Sequence, residues 1–391
     1  MKRLGMGLTA AALAFSLAGT ASAASKPAPA VKVSVDGKAV DFGADLIVAK
    51  GKTYVEYASL FEQLGYGTDL DGSMNTIYAE SDYYDIQIGE DIAIVNGLTL
   101  PSTGEIIQQD GRTLIGLRFA GLLANYAVDW DNRTKTASLA YQGPTDADQA
   151  SINELFSKML LVEAADDLQG ALDLLAENTV VDTETVKENF ENYKTQTKVL
   201  DLFIQSFNPT AAIVIATEES KKLSGDFYPD NVAQSRYTLH KNDEGEWRIY
   251  NVELLDMEFT DIPGMFKQAA DIPEADKSAI GKAFEDQAKA ANDKDPEAYV
   301  ATLVDFPEKE QLLQALEEMF QVTNLNVTTE QWTVVQYDGS AKASLLVSMV
   351  SETDAGGQQA KIRSVVLNDA EKVDGKWLLA AEAYVLFSEE L

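Results

Sequence analysis

The amino-acid sequence predicts an α+β protein, in which a duplicated β-rich module precedes two domains that each place helices before an antiparallel sheet. The first observation behind this prediction is an internal match in residues 31–141, which align with themselves at a shift of sixty residues without a gap. The second is a change from helical to alternating hydrophobic spacing, which occurs once in residues 147–260 and again in residues 270–391. A chain of 391 residues is long enough for two to four domains of ordinary size.

Composition removes several classes of function. The formal net charge is −32, from 31 basic and 63 acidic residues, so the chain repels phosphate backbones and we expect no nucleic-acid partner. There is no cysteine, which excludes disulfides, thiolate metal sites and cysteine nucleophiles. The one histidine, His240, is too few for histidine-rich metal sites and for most His-dependent triads.

The N-terminus has the pattern of an export signal. Lys2 and Arg3 precede an apolar stretch from Leu4 to about Ala18, and Ala21-Ser22-Ala23 supplies the small residues that a signal peptidase reads. We therefore expect a signal peptide over residues 1–23 and a Pro/Ala spacer over residues 24–30. The mature protein is expected outside the cytoplasmic membrane, in the medium or on the cell wall, with no membrane insertion after cleavage.

Each copy of the sixty-residue repeat, residues 31–90 and 91–141, predicts the same series of elements. An alternating strand such as 31–35 leads into a hairpin turn at Asp36-Gly37 or Asn96-Gly97, pairs that tolerate positive φ. A short strand and a helix of about ten residues follow, and a strand-turn-strand closes the unit. The helices are predicted at Tyr57–Leu64 and Leu117–Ala124.

The second copy carries the motifs of a known family. Val95-Asn96-Gly97, the run Gly-Arg-Thr-Leu-Ile-Gly-Leu-Arg-Phe at 111–119, and Val-Asp-Trp-Asp-Asn-Arg-Thr-Lys-Thr at 128–136 resemble the copper amine oxidase N-terminal-like, or stalk, domain of secreted Gram-positive proteins. The first copy departs from the pattern, with Ala58 opposite Arg118. The resemblance covers an appended domain only, and oxidase activity is not expected because copper chemistry needs histidine ligands.

One stretch of the first copy invites a metal interpretation. The oxygen-bearing residues of a calcium-loop template are present at the expected spacing, namely Asp69, Asp71, Ser73, Asn75 and Glu80. Met74 occupies the position where that template needs glycine, and the repeat predicts a strand-turn-strand here. We therefore expect a turn, and no metal, cofactor-binding or catalytic residue is assigned anywhere in the chain.

The two later domains follow one plan. Helices are predicted within 147–205 and strands from about Leu200, with the second set of helices at Glu274–Asn292, Pro296–Leu303 and Glu308–Phe320. The clearest shared landmark is a turn followed by tryptophan, at Trp247 and Trp377. This order resembles the nuclear-transport-factor-2-like cone, in which three helices cover a curved antiparallel sheet.

The resemblance implies a pocket between sheet and helices, which in some members serves isomerases, hydrolases or cyclases through Asp or His bases with Tyr partners. In this sequence we predict no convergent acid–base pair. His240 is expected to be an exposed surface histidine, and the aromatic residues of the strands are expected in the core or at its rim: Tyr237, Tyr250, Trp332 and Trp377.

Two functions follow as expectations. The first is an exported, non-catalytic surface protein with a binding or structural role, whose partner is a cell-envelope polymer or another surface protein. The alternative is a cone-domain small-ligand binder, or an isomerase- or hydrolase-like enzyme, that uses a buried Asp or Tyr. A deep pocket with a carboxyl group of raised pKa is the feature that would favour the alternative.

Overall fold

The computed structural model describes residues 31–74 and 76–391. The predicted signal peptide at 1–23, the predicted spacer at 24–30 and Asn75 of the calcium-loop template lie outside the described residues. Within them, contacts divide the chain into two compact units. One comprises the described residues up to Gly65 together with Glu105–Tyr141, and the other comprises Tyr66–Gly104 and Gln142–Leu391. No helix of the described residues is long and apolar enough to cross a bilayer.

Residues 31–141 form thirteen short strands and two short helices. The strands are β1 (Lys32–Val35), β2 (Lys38–Val40), β3 (Leu46–Ala49), β4 (Lys52–Glu56), β5 (Gly67–Asp71), β6 (Thr76–Glu80), β7 (Asp85–Ile88), β8 (Ile92–Val95), β9 (Leu98–Pro101), β10 (Ile106–Gln109), β11 (Arg112–Gly116), β12 (Tyr126–Asp131) and β13 (Thr136–Tyr141). The helices are α1 (Tyr57–Gln63) and α2 (Leu117–Leu123), as the repeat predicts.

The first unit consists of two four-stranded sheets, with strand orders β12-β13-β1-β2 and β10-β11-β4-β3. Each sheet takes two strands from each repeat, so the repeats are interleaved. Two ion pairs at equivalent repeat positions show this interleaving: Lys52 contacts Glu105 at 2.7 Å, and Arg112 contacts Asp45 at 3.0 Å. Neither repeat is a separate folding unit, because each supplies half of every sheet.

The predicted hairpin turns are confirmed. Asp36 and Gly37 have φ of 48° and 76°, and Asn96 and Gly97 have φ of 48° and 80°. Both central residues of such a turn need positive φ, which is why Asx-Gly pairs occur at both places.

The stretch that resembled a calcium loop is a hairpin turn between β5 and β6. The Asp71 carboxylate accepts hydrogen bonds from the Ser73 backbone at 2.8 Å, the Ser73 hydroxyl at 2.6 Å and the Met74 backbone at 3.2 Å. Asp131 holds the equivalent turn of the second repeat through Arg133 and Thr134. The carboxylate that would be a ligand is therefore used by the turn itself, as the repeat predicts.

In the second unit, the five-stranded sheet β5-β6-β7-β8-β9 is joined to the chain that follows residue 141. The Asn96 side chain donates to the Ile204 carbonyl at 3.1 Å, and the Gln205 side chain donates to the Asn96 carbonyl at 3.2 Å. Tyr83 donates its hydroxyl proton to Asp146 at 2.7 Å. The contact division follows these bonds, whereas the predicted domain limits follow the sequence repeat.

Two domains of three helices and four long strands make up the rest of the second unit. The first contains α3 (Asp146–Ala164), α4 (Leu168–Asp173), α5 (Thr183–Asn192), β14 (Tyr193–Asn208), β15 (Ala211–Gly225), β16 (Asn231–Lys241) and β17 (Trp247–Phe259). A short helix α6 (Ile262–Met265) follows. The second contains α7 (Glu274–Asn292), α8 (Pro296–Val300), α9 (Lys309–Val322), β18 (Thr323–Tyr337), β19 (Lys342–Ala355), β20 (Gln358–Val373) and β21 (Lys376–Glu390).

Each of these domains folds its four strands into an antiparallel meander, β14-β15-β16-β17 or β18-β19-β20-β21. Register shifts interrupt the outer strand pairs of both sheets, and such bulges bend strands. The helices cover one face, where Ile152 and Phe156 of α3 join the core of the first sheet and Ile280 and Phe284 of α7 join that of the second. The predicted α+β class with two cone-like domains is confirmed.

The two tryptophan landmarks occupy equivalent places. Trp247 and Trp377 are buried, and each indole N–H donates to the first helix of its domain, to Ser151 at 3.0 Å and to Asp276 at 2.9 Å. A lysine lies over each ring at the same register position, Lys241 in the first domain and Lys372 in the second. The predicted second duplication is therefore visible in the contacts as well as in the order of elements.

Candidate functional site in the first cone-like domain

The first cone-like domain encloses a cavity of about 360 Å³ between its sheet and the helices α3 and α5. Alternate residues of β15 point to the same face of the sheet. Val214 and Ala216 on that face are fully buried in the core, and the next two residues on it, Glu218 and Ser220, line the cavity. The strand thus changes from apolar to polar at the point where the helices leave space.

Glu218 and Tyr237 form the central polar pair. The Tyr237 hydroxyl donates to Glu218 Oε2 at 2.7 Å, and the Tyr237 ring is held by an edge-to-face contact with Phe156, with 4.9 Å between the ring centroids. Burial raises the pKa of Glu218, against the opposing effect of the bond from Tyr237, and the nearby Glu163 raises it further. Burial also raises the pKa of Tyr237 well above its usual value.

A second carboxylate is fixed by hydroxyl groups of the sheet. Glu163, at the end of α3, accepts from the Thr195 hydroxyl at 2.5 Å, and from the Thr197 hydroxyl at 2.8 Å. The Thr197 hydroxyl also lies 2.9 Å from that of Ser220. These bonds hold the Glu163 carboxylate in place as an acceptor of hydroxyl protons from β14.

The remaining wall is mostly apolar. The side chains that line this wall are contributed by α3, α5, β17 and the residues directly after α4: Met159, Leu160, Val162, Leu174, Leu175, Val186, Phe190, Ile249 and Val252. Such a wall with a few convergent polar groups is typical of sites for small molecules. This wall is suited to an apolar ligand, and Glu218 and Tyr237 are placed to bond one polar group of that ligand.

Two tyrosines border the same cavity. Tyr193 and Tyr228 lie with their ring centroids 4.7 Å apart, and burial raises the pKa of Tyr193 to about 12. Beside them, Lys194 forms an ion pair with Asp166 and donates to the Phe190 carbonyl. The cation at this border is therefore neutralised by the protein, so the cavity presents no unpaired lysine to an anionic ligand.

The second cone-like domain fills the corresponding space with its own side chains. The strand registers make Met349 equivalent to Glu218, and Asn368 equivalent to Tyr237. Trp332 enters the core against Gly281 of α7, where a Cβ atom would lie only 2.4 Å from the indole ring. The second cone therefore lacks the carboxyl–phenol pair of the first, and Trp332 occupies part of its interior.

The structure brings together residues that the sequence analysis did not connect. Tyr237 lies in the core as predicted, but it also forms the pair with Glu218 that was not predicted. The sequence alone predicts a strand that ends at Thr217, because the run Glu218–Lys222 is polar and looks like a solvated turn. In the structure β15 continues to Gly225, so the alternation that begins at Val214 carries Glu218 inward. That alternation was the available signal.

His240 was expected to be exposed, and this is wrong: it is half-buried and stacks on Tyr250 with 4.4 Å between the ring centroids. The stacking partner comes from the neighbouring strand β17, which a single-strand pattern does not reveal. Neither ring lines the cavity. Among the described residues there is also no group of three or more His, Asp or Glu side chains placed to hold a metal ion.

Comparisons with known proteins describe the two halves differently. Residues 34–139 match the family model of the copper amine oxidase N-terminal domain, as the repeat motifs predict. Residues 163–260 match that of the C-terminal domain of the anti-sigma-I factor RsgI9. No curated protein matches the chain.

Solved structures similar to the chain include a hexachlorocyclohexane dehydrochlorinase of LinA type 3 from Novosphingobium barchaimii, with 13% identity and a TM-score of 0.27, covering 30% of this chain and 91% of that one. Another is a ketosteroid isomerase-like protein from Erwinia carotovora atroseptica, with 18% identity and a TM-score of 0.23, covering 29% and 95%. By family model, the chain is thus similar to a copper amine oxidase N-terminal domain followed by an anti-sigma-I factor C-terminal domain.

Proposed function

We propose that this protein is exported and acts at the cell surface as a non-catalytic binding protein, whose first cone-like domain holds one small, mainly apolar ligand. The observation that supports this most is the cavity itself, in which apolar walls surround the Glu218–Tyr237 pair. The expected ligand is uncharged and carries a hydroxyl or carbonyl group, because the Glu218–Tyr237 pair lies among apolar side chains. The other charged groups of the lining, Glu163, Asp166 and Lys194, are already bonded within the protein.

One further observation supports binding rather than turnover. The domain resembles part of an anti-sigma-I factor, a protein named for a regulatory role and not for a reaction. The second cone-like domain then serves as scaffold, and the sequence pattern of residues 1–23 supports export.

The test uses 2-naphthol, an uncharged fluorescent probe with an aromatic body and one hydroxyl group. We expect saturable binding at one site per chain, measured by fluorescence titration of the purified protein. Glu218→Met introduces the residue that the second cone carries at the same position and should weaken binding at least about tenfold, the equivalent of one lost hydrogen bond to a charged or buried group.

A matched control is available on the same strand. Glu219 adjoins Glu218 but points to the other face, where it pairs with Lys221 at 3.0 Å, so Glu219→Gln should leave binding unchanged. Non-saturable binding, or equal affinity in the Glu218→Met protein and the wild type, would remove the support for a ligand site in this cavity.

An enzymatic alternative is favoured by one specific observation. A carboxyl group of raised pKa beside a tyrosine hydroxyl is suited to remove a proton next to a carbonyl group, once the phenol releases Glu218 and donates its one proton to the carbonyl oxygen instead. Incubation with cyclohexanone in D₂O, followed by NMR, measures this directly. Exchange at the α-carbon that depends on Glu218 would establish the enzyme, and exchange no faster than in the Glu218→Gln protein would eliminate it for such ketones.

A further inference from the structure

A second concave site lies in the first unit, apart from the cavity described above. It is a groove of about 840 Å³, and its lining comes from α2, from β12, and from the turn between β3 and β4. All of its lining residues belong to the unit formed by the described residues up to Gly65 and Glu105–Tyr141. Neither the turn geometry nor the core of this unit accounts for the side chains that face it.

Apolar and aromatic side chains form the floor of the groove. Tyr126, Val128 and Trp130 alternate along β12 and therefore share one face of the strand. The Trp130 indole N–H is satisfied by Asn132 at 3.0 Å, so a ligand meets a half-exposed ring whose polar edge is already bonded. Leu122 projects from α2 with 60% of its surface exposed. A large apolar side chain this exposed beside an aromatic surface is typical of a binding site.

Polar groups with unused hydrogen-bonding capacity flank this floor. Arg118 on α2 and Asp129 on β12 are both exposed, and within residues 31–74 and 76–391 the side chain of neither makes an ion pair or a hydrogen bond. The other two charged residues of the lining, Lys52 and Glu105, bond to each other at 2.7 Å. The formal charges of the groove thus cancel, yet one donor group and one acceptor group remain available.

The internal repeat shows that the fold does not need these side chains. At the equivalent positions of the first repeat, Arg118 is Ala58, Phe119 is Ser59 and Trp130 is Leu70. The helix and strand that carry them, α1 and β5, form with these smaller or uncharged residues. Arg118, Phe119 and Trp130 are therefore features of the second repeat alone, whereas Tyr126 and Asp129 match Tyr66 and Asp69 of the first. A ligand accounts for these three differing side chains better than folding does.

We propose that this groove binds a neutral polysaccharide chain. Sugar rings have apolar faces that pack on aromatic side chains such as Trp130, and hydroxyl groups that accept from Arg118. An anionic polymer is disfavoured by the protein's net charge of −32. A cationic polymer would be attracted to the whole acidic surface and would not require a groove of balanced charge.

Affinity electrophoresis of the full chain tests the proposal, with dextran or hydroxyethylcellulose as neutral probes and polygalacturonate as the anionic one. The triple variant Arg118→Ala, Phe119→Ser, Trp130→Leu introduces the residues that the first repeat carries at these positions. The first repeat forms the same helix and strand with them, so the variant is expected to fold. We expect a neutral probe to retard the wild type and the triple variant to lose at least about tenfold in affinity. Arg118→Ala alone, a change to an exposed side chain, should reduce affinity without altering thermal unfolding.

Arg133→Ala is the matched control, because it removes one exposed arginine at the β12–β13 turn outside the groove. It should be retarded like the wild type. No retardation by either neutral probe, equal retardation of the triple variant, or retardation by polygalacturonate alone would each overturn the proposal. Glu218→Met changes the other unit. Its effect on 2-naphthol binding therefore tests the proposed function, and the triple variant's effect on polysaccharide binding tests the groove independently.

Discussion

At the scale of single residues, Glu218 is the group whose chemistry depends most on its surroundings. Its carboxyl lies half-buried between apolar side chains and a phenol, whereas the adjacent Glu219 lies on the other face and pairs with lysines. The two residues are chemically identical and one position apart. Their opposite pKa shifts, upward for Glu218 by burial and downward for Glu219 by its bond to Lys221, come from the side of the strand that each occupies.

The raised pKa of Glu218 predicts a pH dependence of stability. Because the folded state binds this proton more tightly than the unfolded state, whose value is near 4.5, its contribution to stability is complete below that value and is lost as pH rises through the folded pKa. Glu218→Gln keeps a neutral side chain at every pH. The variant should therefore gain free energy of unfolding relative to the wild type across that window, measured by urea unfolding from about pH 4 to about pH 8.

Glu219→Gln again serves as the control, with the opposite sign. Its folded pKa is lowered, so the wild-type carboxylate stabilises the protein above the unfolded value and that stabilisation disappears as pH falls. A difference between Glu218→Gln and wild type that does not vary with pH would contradict the burial of this carboxyl group.

At the scale of elements, a close contact between a helix and a strand occurs inside the second cone and distinguishes its interior from that of the first. In the second domain Gly281 of α7 allows Trp332 of β18 to fill the interior, while the registers place Leu202 at the equivalent position of β14. A helix interior does not favour glycine. Here the close approach of the indole explains the glycine. The indole is also larger than the leucine at the equivalent position of the first domain, so it occupies more of the cone's interior.

Gly281→Ala should therefore destabilise the protein by about 1–3 kcal/mol, since the new methyl group overlaps the indole of Trp332. Thermal or urea unfolding measures the change. The double variant Gly281→Ala, Trp332→Leu should respond differently from the sum of its parts, because the smaller side chain removes the overlap. Additive effects of the two substitutions would show that this contact does not set the packing of the second cone.

At the scale of the whole molecule, the acidic surface dominates. A formal charge of −32 opposes compactness through self-repulsion, and the ion pairs of the described residues are mostly surface contacts of small individual weight. The carboxylates at the hairpin turns, Asp71 and Asp131, bond to their own backbones and are not arranged around a common point. Electrostatic stabilisation by salt should consequently be general and not specific to one cation.

Added NaCl should raise the melting temperature through screening. At matched ionic strength, CaCl₂ and MgCl₂ should give the same melting temperature within error, measured by differential scanning calorimetry. A Ca²⁺-specific increase that disappears in Asp71→Asn would contradict the assignment of that carboxylate to the turn and would restore the calcium interpretation of residues 69–80.

Sequence patterns predict most of the elements, their order and both duplications. The Asx-Gly pairs, the alternation of strands and the tryptophan landmarks are local signals, and local backbone preferences produce them. Export is a further expectation of the sequence, carried by residues outside the described part of the chain.

Three features become visible only in the tertiary structure. They are the cavity beside the polar pair in the first cone, the interleaving of the repeats, and the carboxyl group that is buried. Lys52 finds Glu105 and Tyr237 finds Glu218 across strands, and such pairs depend on register and curvature, which single-strand patterns do not specify. The cavity in particular depends on the size and polarity of two side chains. The first domain has Leu202 and Glu218 at the positions that Trp332 and Met349 occupy in the second.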